Sequence, residues 1–415
     1  MKNHTKAVGP LMAAALLSLA ACGGSEAADP GTNGGDEGEV QGAISVRVYP
    51  LKDEAEDRAF WEEQIERFTS EYPEAEVSID VQPWADRETA LTTAITGGTA
   101  PDVAYMIPDE LRLFQSQGAL VPLELETDGI RENALEATSV DGEIYGAPVL
   151  MSVVPGVCDA QAMEKAGIET APATWDEVKE MGAIAKEQGL YITEVIATNA
   201  ATLNTTFYPF VWQAGGNVFD EEGNLTADSP EVIEAVAFMR ELVELGYVNE
   251  NDATAGTPNE QSSIGKREVV CSFIQDPVNL EGVWGDDRVV VPPLTHKEQR
   301  TYGTVGSHVV LKGSAEQDVA QAWVNFVSSA ETVKALDTWA GYQSPREDVD
   351  LGWEEGSIQA ETAKYLDATF SGEAVPYGRA VQSAIAPQVQ AAVLGQATPE
   401  EAMAAAQEAG EALIR

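Results

Sequence analysis

The 415-residue chain is 44% hydrophobic, 7% aromatic and 22% charged, which supplies enough apolar surface to fold and rules out wholesale disorder. Its 69 acidic residues against 24 basic ones give a formal net charge of −45, which excludes broad electrostatic attraction to nucleic acid or to an anionic membrane surface. The length suits roughly two to four ordinary domains, or one two-lobed protein with a sizeable core.

The chain starts with a basic patch, Lys2 and Lys6, followed by an apolar stretch from Ala7 to Ala21. That stretch is too short to span about 30 Å of hydrocarbon as a helix, so it reads as a removed signal over residues 1–21. Leu19-Ala20-Ala21-Cys22-Gly23 resembles the lipobox of bacterial lipoproteins. The resemblance implies that Cys22 is acylated, becomes the new N-terminus and anchors the protein to the outer face of the cell membrane. Residues 22–42 are rich in Gly, Ser and acidic side chains and have no apolar period, so they read as a flexible tether. Folding is expected to start near Ala43.

Beyond the tether the period alternates. Ile44, Val46 and Val48 read as a strand, and Trp61, Ile65, Phe68 and Tyr72 recur at helical spacing before Pro73; Val77, Ile79 and Val81 alternate again. A helix over Glu88–Thr96 closed by Gly97-Gly98, a strand at Val103–Met106 and a helix over Asp109–Gln117 closed by Gly118 continue the alternation. Thr174 and Glu177 have capping-box spacing, Ser229-Pro230 supplies an N-cap followed by a first-turn proline, and Val269–Ile274 reads as an unbroken apolar strand. Strands alternating with helices place the chain in the α/β class, with parallel sheet covered on both faces.

Catalytic signatures are weak. Histidine occurs only as His4, His296 and His308, and His4 lies in the removed signal, so a multi-His metal site or a His-based triad has little material. Gly265-Lys266 lacks the upstream glycine and the following Ser or Thr of a phosphate loop, since Arg267 stands there. Asp220–Asn224 lacks the spaced ligands of a calcium loop and reads as a hairpin turn. No enzyme, cofactor or metal is expected.

Three ordered blocks carry a family resemblance: WEEQIERFTSEYPEAEVSIDVQPWADRETALTTAITGGTAPDVAYM, GEIYGAPVLMSVVPGVCDAQAMEKAGIETAPATWDEV and FYPFVWQAGGNVFDEEGNLTADSPEVIEAVAFMRELVELG. With the later GTVGSHVVLKGSAEQDVAQAWVNFVSSAE and GYQSPRED blocks, residues 43–415 resemble the extracellular solute-binding proteins of ABC importers, the maltose-binding-protein-like family. The resemblance implies two α/β lobes, 43–150 plus 303–344 and 151–302 plus 345–415, joined by hinge strands around a ligand cleft. It also implies a sugar solute, permease subunits as partners and a monomeric receptor. A polyamine or a glycerol phosphate derivative is the alternative solute. The chain departs from many relatives in having Cys158-Asp159 at the strand entering the second lobe. Outside the cytoplasm Cys158 and Cys271 are either a disulfide, which needs Cα atoms within about 7 Å, or two buried thiols.

A neutral sugar offers apolar C–H patches for aromatic faces and many hydroxyls that need convergent partners. Tyr49 and Trp84 follow the first two strands, where ligands of doubly wound folds lie, although packing suits Trp84 equally. By resemblance the PDV loop presents Met106, in place of an aromatic, and Asp109, while Glu110 replaces an arginine. Ser152 falls on the crossing segment and either donates a hydrogen bond or packs at the hinge. Tyr208 and Trp212 share a helix face as a stacking platform or as lobe core. Asp276 faces hydroxyls or caps a turn, and Trp339 and Tyr342 flank Gly341 at an expected hinge. Tyr377 and Arg379 precede the last helices, with Arg379 pairing an anionic ligand or an Asp of the opposite lobe. Trp61 and Trp323 sit on helical apolar stripes and read as core.

Overall fold

A computed structural model describes residues 40–198, 203–220, 222–254, 261–372 and 375–414. The expected signal and the expected acylation at Cys22 lie outside the described residues. Strands are numbered along the chain: β1 Gln41–Val48, β2 Glu74–Val81, β3 Val103–Met106, β4 Ser139–Val140, β5 Glu143–Ile144, β6 Ala147–Val153, β7 Gly156–Asp159, β8 Cys271–Ser272, β9 Arg288–Val291, β10 Thr301–Val310 and β11 Thr369–Phe370.

The first sheet runs β11-β10-β3-β1-β2, with β6 on the other edge of β10. β1 pairs in parallel with β2 from Gln41↔Glu74 to Val48↔Val81, so the ordered chain starts two residues earlier than the alternation predicts. Gln41 and Gly42, expected to belong to a tether, join the ladder instead. The expected βαβ order holds. Helix Glu54–Glu71 is capped by Asp53, whose carboxylate accepts from Ala55 N at 2.9 Å and Glu56 N at 3.0 Å. Its Trp61 and Phe68 pack with Trp323 of helix Gln317–Val327 in one core that also holds Ile44, Val46 and Val149.

A second core gathers Val178, Phe207, Phe210, Met239, Ile385 and Val389 around the three-stranded sheet β8-β7-β9. Helix Trp175–Glu187 starts at the expected capping box, with Thr174 Oγ1 accepting from Glu177 N at 3.2 Å, and helix Pro230–Glu244 starts after Ser229. Asp220 and Asn224 close a turn, in which Asn224 N donates to Asp220 Oδ1 at 2.7 Å, between Phe219 and Leu225. The expected strand over Val269–Ile274 shrinks to Cys271–Ser272. Val270 N and Cys271 N instead donate to Tyr191 O and Ile192 O, and Ile274 N turns back to Ser272 Oγ.

Three segments connect the two cores. β6 and β10 run antiparallel through Gly303↔Val153 and Thr304↔Ser152, and Gln343 pairs with Met151 beside them. Residues 345–348 pack back on the first region, where Pro345 O accepts from Arg131 N and Arg346 donates to Asp128 O at 2.6 Å and Ser328 O at 3.0 Å. Cys158 and Cys271 face each other in the β7/β8 register and form a disulfide with Cα atoms 3.9 Å apart.

Candidate functional site

β10 and β6 form the floor from which the site is built. Paired residues of antiparallel strands project to the same face, so Ser152 and Thr304 share one face, with Tyr302 two residues along. Glycine at 306 is required by a close approach: a Cβ there would stand 2.1 Å from the Tyr105 hydroxyl, so the tyrosine lies over the strand. Above this floor, helix Pro108–Ser116 contributes Asp109 and helix Tyr208–Gln213 contributes Tyr208. Helix Gly378–Val393 contributes Arg379 and Gln382.

A narrow cavity of about 20 Å³ is lined by Asp109, Asn204, Tyr208, Tyr302, Thr304 and Gln382. The Tyr208 hydroxyl is buried and has no hydrogen-bond partner among the described residues, which is costly unless something else supplies one. Gln382 Nε2 donates to Asn204 Oδ1 at 2.6 Å. Burial pushes the Tyr208 hydroxyl up and Asp109 adds to the shift; the Tyr302 hydroxyl is pushed up to about 12 by burial and then by Asp109. Both remain donors at neutral pH. A cavity of about 300 Å³, the lower end of ligand-sized pockets, adjoins this one across Pro108, Thr304, Ser371 and Gly372.

Charged groups rim the site. Arg379 spans the two regions: its Nε lies 2.8 Å from Glu88 Oε2 and its Nη1 3.1 Å from Asp109 Oδ2. Arg87 Nε stands 2.6 Å from Glu110 Oε1, and burial pushes the Glu110 carboxyl up to about 7 against the opposing pull of that guanidinium. An aromatic cluster of the first region joins two rings of its core, Tyr49 and Tyr105, to the exposed Trp84. Tyr49 lies 5.1 Å from Trp84 and 6.3 Å from Tyr105, and the Arg87 guanidinium sits 5.0 Å over the half-exposed Trp84 ring.

The sequence-nominated residues divide. Asp109, Tyr208 and Arg379 converge on the cavity and its rim, Ser152 shares the floor, and Trp84 stays exposed beside Arg87. Asp276 and Tyr342 line a second small cavity with Met151 and Val153, and burial pushes Asp276 up to about 6. Five nominations are corrected. Tyr49 is buried in the first core with Val48 and Tyr105, because its ring turns inward at the end of β1. Met106 is fully buried with Leu91, Leu111 and Phe114, because all four residues of β3 are enclosed. Trp212 is core behind Gly372 and donates to Asn217 Oδ1. Trp339 is stacked on Phe60 at 4.6 Å with Lys52 on its ring. The Tyr377 hydroxyl donates to Gly223 O, which ties that side chain to the Asp220–Asn224 turn. Trp61 and Trp323 are core as expected.

Sequence reasoning missed Arg87, Glu88, Asn204, Tyr302, Thr304 and Gln382. The only available signal was the alternation Tyr302, Thr304 along TYGTVGSHVV, which puts two polar side chains on one strand face.

Comparison with known proteins agrees with this architecture. The arabinooligosaccharide-binding protein of Halalkalibacterium halodurans is 24% identical over 364 residues, covering 81% of this chain and 77% of that protein. The GacH receptor of Streptomyces glaucescens, solved unliganded and with acarbose, matches with a TM-score of 0.77 at 22% identity, over 90% of this chain and 99% of the receptor. An ABC transporter solute-binding protein of Thermotoga lettingae bound with α-D-tagatose gives a TM-score of 0.77 at 20% identity, over 90% and 100% of the two chains. The two α/β lobes are thus the fold of solute-binding receptors. The family described as bacterial extracellular solute-binding protein matches residues 52–334, well over half the sequence, and the chain belongs to that family.

Proposed function

We propose that the protein is the solute-capturing lipoprotein of an ABC importer, anchored through Cys22 on the outer face of the membrane, and that its solute is a carbohydrate. The lobes are those expected from the sequence, 43–150 plus 303–344 and 151–302 plus 345–415, except that Gln41 and Gly42 join the first sheet and residues 345–348 pack on the first lobe. The observation that carries the reading is the convergence of Asp109 from one region with Asn204, Tyr208 and Gln382 from the other over Tyr302 and Thr304. These are hydroxyl, amide and carboxylate groups of the kind that hydrogen-bond a polyhydroxylated ring, and the unpartnered Tyr208 hydroxyl awaits such a partner. Of the Tyr49, Trp84 and Tyr105 rings only Trp84 is exposed, and it offers a ring face for C–H patches. The sugar ligands of the arabinooligosaccharide-binding protein, the acarbose receptor and the tagatose complex support the same class.

A ligand closes two lobes only through contacts that are stronger in the closed state, and here Asp109 of one region and Tyr208 of the other line the same cavity. The closed receptor then docks on permease subunits, and ATP is hydrolysed elsewhere in the transporter. A thermal-shift screen of the purified protein against neutral mono- and oligosaccharides tests the reading. Saturation at a hundredfold excess over Kd stabilises by about 2.7 kcal/mol, a shift of a few degrees. Silence across the saccharides together with a shift for a charged solute would overturn the carbohydrate assignment.

A further inference from the structure

Arg379 stands at an unusual place for a cation. It is the second residue of helix Gly378–Val393, on the second region, yet both of its carboxylate partners, Glu88 and Asp109, belong to the first. Among the described residues these are the only ion pairs that join residues 40–150 to the part of the chain after residue 350. Asp109 is also a wall of the cavity that holds the unpartnered Tyr208 hydroxyl. A carboxylate has about four lone-pair sites, so one paired with a guanidinium through a single oxygen keeps acceptor capacity for a hydroxyl while its charge is matched. Glu110, next to Asp109, is matched in the same way by Arg87 at 2.6 Å. The rim is therefore acidic in composition but close to balanced in charge: Glu88, Asp109 and Glu110 against Arg87 and Arg379.

An amine ligand gains most from a carboxylate that has no cation of its own, whereas an uncharged ligand needs only the acceptor. We propose that Arg379 is the charge-selectivity residue of the cleft, a built-in counter-ion that reserves Asp109 and Glu88 as hydrogen-bond acceptors for uncharged solutes and denies them to amines. The proposal rests on the interlobe cleft being the solute site. Its action is on the carboxylates, so Arg379 is a positioning residue for them.

The test compares wild type, Arg379→Gln and Arg379→Lys by calorimetric titration with spermidine and with a glucosamine trimer, alongside maltotriose as a neutral probe, at low and high salt. Arg379→Gln is expected to bind the two amines at least tenfold more tightly than wild type at low salt, with the gain shrinking at high salt. Arg379→Lys, which keeps the charge, is expected to behave as wild type. Unchanged amine affinity in a folded Arg379→Gln protein would overturn the proposal, and so would an equal gain in Arg379→Lys. Should Arg379→Gln fail to fold, Arg379→Met removes the same charge with a different stem. The amine gain is read whether or not any neutral saccharide binds, so its failure is distinct from failure of the carbohydrate reading, which the thermal-shift screen decides.

Discussion

The two sheets are held together by different means. In the first, β1 and β2 align over eight consecutive pairs, β10 is ten residues long, and the helices above are zipped by Trp61, Phe68, Trp323 and Phe326. In the second, β8 has only two residues, and each carries a fastening that the ladder cannot supply. Cys271 is bonded to Cys158 across 113 residues of sequence, and Ser272 Oγ donates to the buried Glu194 at 2.7 Å. Arg267 adds a third, with Nε 2.8 Å from Oδ2 of the buried Asp159. Where backbone pairing is long, apolar packing suffices; where it is short, covalent and polar links take over.

The largest test of that contrast removes the disulfide. Closing a loop of this length is worth about 5 kcal/mol in chain entropy, so Cys158→Ala with Cys271→Ala should lower the melting transition of the second region while leaving the first nearly unchanged. Differential scanning calorimetry of the double variant, or of wild type under reductant, checks this. Equal loss in both regions would mean that the lobes unfold as one unit and that the contrast has no energetic meaning.

Glu194 supplies the next effect. Burial pushes its carboxyl from an ordinary 4.5 up to about 7, with the Ser272 and Gln275 hydrogen bonds opposing. Because the unfolded chain loses this proton first, the contribution is fully present below about pH 4.5 and is lost as pH rises to about 7, by roughly 3 kcal/mol. Glu194→Gln keeps the shape and removes the titration. Denaturant melts at pH 5 and pH 8 should show a smaller pH difference for the variant than for wild type, and an identical difference would show that Glu194 is ionised in the fold.

The first region hides a smaller liability. Asp337, fully buried in helix Ala330–Ala340, has neither carboxylate oxygen hydrogen-bonded among the described residues, and burial holds its pKa well above the usual range. An unsatisfied buried polar group costs about 1–3 kcal/mol, so Asp337→Leu should stabilise by about that much. The raised pKa makes the native carboxyl increasingly unfavourable as pH climbs past that of the unfolded chain, so the gain should be greater at pH 8 than at pH 4. Destabilisation at both pH values would place Asp337 in a polar network that apolar packing cannot replace.

This uneven fastening explains what could be read from the sequence. The βαβ order of the first region was legible because Ile44, Val46 and Val48 alternate and Pro73 and Gly97-Gly98 end helices where the structure ends them. Val269–Ile274 was over-read, since an apolar run does not reveal that its backbone bonds are split between Tyr191–Ile192 and β7. In the site, Asp109 was legible from the family resemblance of the PDV loop, and Tyr208 from its helical spacing to Trp212. Met106 and Trp339 misled because an apolar residue beside a loop carries no mark of which face it takes. Glu88 was invisible for a different reason: its partner Arg379 lies 291 residues away, and no local spacing encodes a pair formed by two regions closing on each other.

The smallest expected effect lies between the two regions, at Tyr208. Its hydroxyl is buried without a partner among the described residues, so Tyr208→Phe should leave the melting temperature of the free protein unchanged or slightly raised. Binding should behave oppositely, because a hydroxyl that acquires its partner from the solute contributes about 0.5–1.5 kcal/mol there, or roughly a three- to tenfold change in Kd. The two measurements separate what either alone would confuse. Weaker binding at unchanged stability marks a group kept for a ligand, whereas lost stability at unchanged affinity would mark a hydroxyl that serves the second core, moving Tyr208 from the cleft to the fastening that distinguishes that region from the first.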